Sequence, residues 1–252
     1  MTQVPDAILA LARSAKRVTV LTGAGMSAES GVPTFRDPDV GLWEKYDPMV
    51  MATPQGWERD KPLVNAWFLS RVAIVQGVEP NAGHVALAEW GRRAGVEMRI
   101  VTQNIDDLHE RAGAPVAAHL HGNIFAFRCD RCHRDGPVPP LPQTPFERLD
   151  PTPCEHCGRG HLRPGVVMFG EVLPSDAIQA AFEACSNSDL VVVVGTSGIV
   201  HPAAQLPYLA QSNGIPVIEI DPNRTAFSND ADHVWRATAA EGLPALVRAL
   251  GG

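Results

Sequence analysis

The stretch that decides the fold covers residues 18–37 and reads VTVLTGAGMSAESGVPTFRD. It begins with an apolar, β-branched run that predicts a buried strand, and it turns at once into Gly23-Ala24-Gly25. Gly23, Gly25 and Ala28 fit the G-x-G-x-x-G/A spacing, in which glycines allow a tight turn and close approach to a pyrophosphate. The stretch therefore predicts a dinucleotide phosphate loop, with an ordinary glycine turn as the alternative.

The segment after the glycines differs from that of an ordinary dinucleotide fold. Pro33 and Pro38 exclude a continuous helix across residues 31–38, so the chain leaves as a loop that carries Phe35 and Arg36. Such a loop can cover a ligand at the phosphate site, and the alternative is a surface connection with a buried Phe. The acidic residue expected about 20 positions after the glycine pattern has no clear counterpart.

Composition indicates a globular chain with a packed core. The sequence has 252 residues, of which 45% are hydrophobic and 19% are charged, enough for one large domain or a main domain with a smaller companion. The net charge of -7 argues against sequence-independent binding to nucleic acid. No apolar stretch approaches the ~18 residues of a membrane span, and we expect a cytoplasmic location.

The alternation of apolar patterns predicts an α/β fold with a doubly wound, Rossmann-like parallel sheet. The pattern predicts helices over residues 5–16, 61–78, 81–90, 175–184, 202–212 and 243–250. It predicts strands over residues 18–22, 96–103, 116–120, 190–195, 216–220 and near 234, and a loop over 40–56. Residues 190–195 form the most hydrophobic of these strands and are therefore expected at the centre of the sheet.

Two insertions are expected to interrupt the sheet. We assign residues 1–37, 83–123 and 167–252 to the dinucleotide-binding domain. A helical insertion over residues 38–82 and a cysteine-containing module over residues 124–166 would form the smaller domain, leaving a cleft opposite the strand ends.

Four of the five cysteines form two Cys-x-x-Cys pairs, Cys129 with Cys132 and Cys154 with Cys157. Paired cysteines at this spacing are typical of a tetrahedral structural zinc site of the ribbon type, with one ion and no open position for catalysis. The alternative is four free structural thiols. The zinc interpretation also indicates a reducing compartment.

Polar residues follow three of the predicted strands. Gln103-Asn104-Ile105-Asp106 follows the second strand, His121 the third, and Thr196-Ser197 comes directly after Gly195. Because ligands bind outside the carboxyl ends of the strands in open α/β sheets, we expect these residues to face the glycine loop. His121 is a candidate general base, since the reference pKa of histidine is ~6.5; a core or loop histidine is the alternative.

Together these motifs resemble the sirtuin family of NAD-dependent protein deacylases. The resemblance rests on GAGMSAESGVPTFR (23–36), TQNIDDLHERAG (102–113), HGN (121–123), the paired cysteines, RPGVVMFGE (163–171) and GTSGIVHPAA (195–204). It implies that NAD is consumed as a co-substrate, and that acetylated lysine yields free lysine, nicotinamide and 2'-O-acetyl-ADP-ribose.

The resemblance also implies the roles of individual residues. His121, Asn104 and Asp106 would form the catalytic set, with His121 as the base and Asp106 holding the nicotinamide amide. Phe35 would shield the reacting cation from water. The implied NAD-binding residues are Gly23, Ala24, Gly25, Ala28, Phe35, Arg36, Gln103, Asn104, Ile105, Asp106, Gly195, Thr196, Ser197, Asp221, Asn223 and Ala239. Asp221 stands where many relatives have Asn, and its carboxylate can still accept from ribose hydroxyls.

By the same resemblance, the acylated peptide lies extended between residues 167–171 and residues 198–200 and adds a strand to both. Its implied contacts include Val167, Phe169 and Gly170. One branch of the family removes succinyl groups with a Tyr-x-x-Arg pair, and here the pair reads Phe68 and Arg71. We therefore expect a deacetylase with reduced desuccinylase activity.

Two other classes of protein remain open from the sequence. One is an NAD-dependent dehydrogenase with a structural zinc, and the other is a zinc-ribbon binding module that senses NAD. For the enzyme, we expect acylated lysine in proteins or peptides as the partner and a monomeric state, without membrane or nucleic-acid binding. ADP-ribosyl transfer is left open as a side activity, because another nucleophile can capture the same cation.

Overall fold

The computed structural model describes residues 3–34, 43–142 and 146–251. The chain forms two compact units. The larger comprises Met1–Thr34, Glu79–Leu120 and Pro174–Gly252, and the smaller comprises Phe35–Val78 and His121–Leu173. The boundaries derived from the sequence, at residues 37, 82, 123 and 166, stay a prediction.

The described part of the chain contains both helices and strands. In chain order they are α1 (Asp6–Ser14), β1 (Arg17–Thr22), α2 (Gly25–Ala28), α3 (Pro48–Met51), α4 (Pro54–Arg59), α5 (Lys61–Gln76), α6 (Ala82–Gly91), β2 (Glu97–Thr102), α7 (Leu108–Arg111), β3 (Val116–His119), β4 (Gly122–Cys129), β5 (Asp135–Gly136), β6 (Leu162–Val166), α8 (Ser175–Ser186), β7 (Leu190–Val194), α9 (Leu206–Ser212), β8 (Val217–Ile220), β9 (His233–Trp235) and α10 (Ala239–Ala249).

A six-stranded parallel sheet forms the centre of the larger unit, in the order β3-β2-β1-β7-β8-β9. All five residues of β7 are buried, as are all residues of β1 except the first. This burial on both faces is what a central parallel strand requires. The predicted Rossmann-like sheet, with residues 190–195 near its centre, is confirmed.

Helices cover both faces of this sheet. Val18 and Val20 belong to a core cluster that includes Ile8 of α1, Trp90 of α6 and Leu243 of α10. Side chains alternate along a strand, so the intervening threonine of β1 points to the other face, where its hydroxyl donates to a carbonyl of α8. Loops leave the sheet at the carboxyl ends of the strands, and the predicted site residues belong to these loops.

The smaller unit combines helices α3, α4 and α5 with a three-stranded antiparallel sheet in the order β5-β4-β6. Each of the three helices has proline in its first turn, after an N-cap whose side chain accepts a backbone N–H: Asp47, Thr53 or Asp60. The prediction of loop over residues 40–56 was therefore wrong for α3 and the start of α4. The buried side chains of this unit include Trp57, Trp67 and Leu69.

Among the described helices, none has the length and apolarity that crossing a bilayer requires.

Candidate functional site

The glycine loop after β1 packs directly against the loop after β7. Gly23 donates its N–H to the carbonyl of Val194 at 3.1 Å, and Gly25 donates to the carbonyl of Gly195 at 2.9 Å. A Cβ on Gly25 would lie 2.7 Å from the Cα of Gly195, which itself has a positive φ of 60°. Because only glycine fits this contact, two of the predicted cofactor loops lie side by side at the carboxyl edge of the sheet.

Ser27 in α2 connects the glycine loop to the polar loop after β2. The amide nitrogen Nδ2 of Asn104 donates to Ser27 Oγ at 3.0 Å, and Asp106 shares a hydrogen bond with the same serine. All three side chains are buried. Burial raises the pKa of Asp106 above its usual range, although hydrogen bonds from Leu108 N–H and Ser27 oppose it. The sequence contains no local signal for this link, because Ser27 and the loop of Asn104 are far apart along the chain.

Gln103 connects the same polar loop to the loop after β7. Its backbone N–H donates to the carbonyl of Thr22 at 2.9 Å, and its side-chain Nε2 lies 3.5 Å from Thr196 Oγ1. Thr196 Oγ1 also accepts the N–H of Gly198 at 3.1 Å. The structure thus brings three predicted loops together within the larger unit. The other predicted members of these loops are Ala24, Ala28, Ile105 and Ser197.

His119, at the end of β3, supports the loop that carries Asn104. Its Nδ1 lies 3.2 Å from the carbonyl oxygen of Asn104, and its Nε2 lies 2.6 Å from Glu110 Oε1. Both partners only accept hydrogen bonds, so making both bonds requires a proton on each ring nitrogen. Burial lowers the pKa of His119, but the bonds to Glu110 and Asn104 outweigh it and the pKa is raised. Sequence reasoning did not single out this pair.

Two further histidines, His84 and His109, are buried near the end of β1. His109 Nε2 is 3.1 Å from the hydroxyl of Thr22, and His84 Nδ1 accepts the N–H of Asn81 at 3.3 Å. The two imidazole rings are 4.8 Å apart, centre to centre. Burial lowers the pKa of His84 to about 4 and that of His109 well below its usual value. Both rings are therefore neutral near pH 7 and act as fixed hydrogen-bonding groups.

The predicted adenosine-side residues follow β8. Asp221 is buried and accepts the N–H of Asn223 at 2.8 Å. Beneath them, the almost fully buried carboxylate of Glu219 accepts from Ser228 Oγ at 2.6 Å and from Arg236 Nη1 at 3.2 Å. The same Arg236 nitrogen lies 3.2 Å from the carbonyl oxygen of Asp221, so the Glu219 network fixes the backbone of this loop.

Ala239, another predicted cofactor residue, is the first residue of α10. The carboxylate of Glu29 accepts the hydroxyl of Thr238 at 3.0 Å and the N–H of Ala240 at 2.9 Å, which caps the helix from a distant part of the chain. A Cβ on Gly83 would lie 2.7 Å from the carbonyl oxygen of Ala239. The start of α10 is thus held by the Glu29 carboxylate and by close backbone packing against Gly83.

His121 begins the part of the smaller unit that leads into β4. It is half-buried, and its carbonyl accepts the N–H of Val167 at 2.9 Å. The next residue, Gly122, has a φ of 76°, and a Cβ there would lie 2.0 Å from the carbonyl oxygen of Gly165. The backbone that carries His121 is therefore held in a conformation that only glycine allows at the next position.

The predicted acyl-pocket residues lie on α5. Phe68 is buried, and its ring packs edge-on to that of Trp67 with 4.8 Å between the centroids. The guanidinium carbon of Arg71 lies 3.5 Å from the Trp67 ring centroid, a stacked cation–π contact. Arg71 is therefore held against an apolar surface. The predicted residues Phe35 and Arg36 lie outside the described residues.

The four paired cysteines come together as predicted. Cys129 Sγ lies 3.7 Å from Cys157 Sγ, Cys132 Sγ lies 3.7 Å from Cys154 Sγ, and all four sulfurs lie within 4.8 Å of one another. A tetrahedral zinc with Zn–S bonds of 2.3 Å needs sulfurs about 3.8 Å apart. The donor set therefore fits one structural zinc ion with no ligand position left for water.

Comparisons with known proteins agree with this arrangement. The sequence profile of the Sir2 family matches residues 23–202. The chain is 50% identical to "NAD-dependent protein deacylase 2" of Corynebacterium efficiens, over 96% of both chains. It is 49% identical to an NAD-dependent protein deacylase of Corynebacterium glutamicum, over 95% of this chain and 93% of the relative.

Solved structures of Sir2 proteins are also similar to this chain. A Sir2 homologue in complex with NAD superimposes with a TM-score of 0.90 at 39% identity, covering 99% of this chain and 94% of the other. A Sir2 variant with a deacetylated p53 peptide and 3'-O-acetyl-ADP-ribose gives a TM-score of 0.82 at 31% identity, covering 96% of both chains.

Proposed function

We propose that this chain, which belongs to the Sir2 family, is an NAD-dependent protein deacylase that transfers an acyl group from lysine to ADP-ribose. The observation that carries this proposal is the match to relatives named as deacylases over nearly the full length of both chains. The dehydrogenase alternative has no such support. With an acetylated lysine, the products are nicotinamide, 2'-O-acetyl-ADP-ribose and free lysine.

NAD supplies the electrophilic C1' of its nicotinamide ribose, and the residues of this chain bind and orient it. We assign the nicotinamide amide to Asp106 and the neighbouring ribose to Asn104 and Gln103. The burial of Asp106 and Asn104 around Ser27 supports this assignment, because groups held in place before binding need no reorganisation on binding. Gly23, Gly25 and the other loop residues named above would hold the phosphates and the adenosine.

We assign the role of general base to His121. The fixed backbone around Gly122 supports this role, since a catalytic base has to be held within hydrogen-bond reach of its proton. We assign the acylated peptide to Val167, Phe169 and Gly170. One zinc ion at the four cysteines is proposed as a structural element only.

The reaction can be tested with purified protein, NAD and an acetylated peptide. We expect nicotinamide release that depends on the acetyl group and follows peptide deacetylation in a 1:1 ratio. The unacetylated peptide is the control, and it should give no release above background. Accumulation of NADH absorbance in place of nicotinamide would instead support hydride transfer and overturn the proposal.

The acyl preference follows from Phe68 and Arg71. The guanidinium of Arg71 can pair with an acyl carboxylate, whereas Phe68 offers no hydroxyl to assist. We therefore expect a higher kcat/KM for an acetylated peptide than for the succinylated form of the same peptide. Arg71→Met should lower the succinyl rate further and leave the acetyl rate within about twofold. A succinyl rate above the acetyl rate would contradict this assignment.

The remaining expectations concern partners and location. We propose that the chain acts as a monomer on acylated proteins. We also propose that it does not bind nucleic acid, and its net charge of -7 supports this second point. A cytoplasmic location is supported by the four free thiols grouped as a metal site, a pattern that suits a reducing compartment. Light scattering in solution tests the monomeric state.

A further inference from the structure

The segment of residues 167–171, which carries the proposed peptide contacts, is closed into a turn. The carbonyl of Met168 accepts the N–H of Glu171 at 2.9 Å, and Gly170, the third residue of the turn, has a φ of 91°. A turn that needs positive φ at its third residue favours glycine there. Two residues, Phe169 and Gly170, therefore form the tip of a defined turn.

A largely buried ion pair within the smaller unit holds this turn. Arg163 Nη2 lies 2.7 and 2.8 Å from the two carboxylate oxygens of Glu171, and Arg163 Nη1 lies 3.0 Å from Met168 Sδ. The Arg163 side chain is only 7% exposed, and that of Glu171 is 25% exposed. Glu171 Oε2 also accepts the N–H of Met168 at 2.9 Å. The carboxylate of Glu171 thus bonds both the N–H of Met168, the first residue of the turn, and the guanidinium of Arg163 on β6.

The backbone donors of the segment are largely engaged within the smaller unit. Val167 donates to His121, Phe169 to the carbonyl of Ala52 at 2.8 Å, and Met168 and Glu171 bond each other as described. Four of the five amides of residues 167–171 are thus already used. A peptide that pairs with this segment therefore relies mainly on donating its own amides to carbonyls of the segment.

We propose that Arg163 and Glu171 are positioning residues for the acylated peptide: their ion pair holds the turn at residues 168–171 so that the backbone of the segment can pair with a peptide strand. This inference rests on the proposed function. It assigns no contact with NAD to either residue. Loss of the pair should therefore weaken peptide binding and leave NAD binding intact.

The test uses the full chain with two alternative changes. Arg163→Lys keeps the charge but loses the guanidinium geometry, and Arg163→Met combined with Glu171→Gln removes both charges together. We expect the KM for the acetylated peptide to rise at least tenfold in each variant. The NAD dissociation constant, measured by calorimetry, should stay within twofold of the wild-type value. Thermal melting should show that each variant is folded.

Arg148→Lys is the matched control. Arg148 pairs with Asp60 in the same unit through two contacts of 2.7 and 2.8 Å, but its side chain is 57% exposed, and its partner is the N-cap of α5 and not a residue of the turn. We expect this variant to keep the wild-type KM for peptide. An equal rise in KM there would show a general effect of arginine replacement and overturn the proposal.

Two other outcomes would also overturn it. If the folded Arg163 variants keep a peptide KM within twofold of wild type, the pair does not position the peptide. If both variants lose NAD binding and melt early, the pair serves the stability of the fold instead. Failure of the proposed function is distinguishable, because it would appear in the wild-type protein as no peptide-dependent nicotinamide release.

Discussion

Replacing His121 by alanine is expected to lower kcat for deacylation by about 10²- to 10⁴-fold, the usual contribution of a positioned general base. Alanine keeps the backbone beside Gly122 and removes only the imidazole, so the fold should persist. The binding of NAD should also persist, because the proposed phosphate and nicotinamide contacts come from other residues. Single-turnover kinetics and calorimetry on the same preparation measure these two quantities separately.

His133→Asn is the control for this experiment. His133 is an exposed histidine of the same unit with a φ of 59°, a conformation that asparagine tolerates well. This variant should keep the wild-type rate. A protein that only senses NAD would show no loss of output in His121→Ala, and a retained rate in that variant would therefore contradict the assigned chemistry.

The strands of the larger unit could be predicted well from the sequence, because the apolar residues of a buried strand stand next to one another in the chain. A run such as Leu190–Val194 is apolar throughout, as a strand buried on both faces has to be. The start of α10 was harder to predict. We expected it near residue 243, whereas it begins at Ala239, because Glu29 caps it from more than 200 positions away along the chain. A cap supplied by a distant residue leaves no local signal.

The same limit applies to the candidate site. The placement of Asn104 and Asp106 beside the glycine loop could be predicted, because parallel strands end at a common edge. The groups that hold them, including Ser27, His119 and Glu110, belong to separate elements and pair only after folding. Sequence spacing alone does not show such pairs, whereas the cysteine pairs are recognisable because metal geometry fixes their local spacing.

Replacing Cys157 by serine is expected to abolish zinc binding and to destabilise the smaller unit. The wild-type protein should contain one zinc per chain by elemental analysis, and the variant should contain almost none. Binding of a structural zinc contributes directly to folding, so loss of at least ~4 kcal/mol is expected, which lowers Tm by about 10 °C for a chain of this size. A chelator added to the wild-type protein should produce the same shift, reversed by added zinc.

Cys185→Ala is the matched control, because it removes a thiol that takes no part in the cluster. Cys185 is buried in α8 of the larger unit, where burial raises the pKa of its thiol to about 12. An un-ionised thiol is a poor metal ligand, so this variant should keep one zinc per chain. We expect Cys185→Ala to lower the stability moderately, because it removes a buried side chain, and added zinc should not reverse this loss. A Cys157→Ser protein that still holds one zinc and melts like wild type would show that the four cysteines are not a structural metal site.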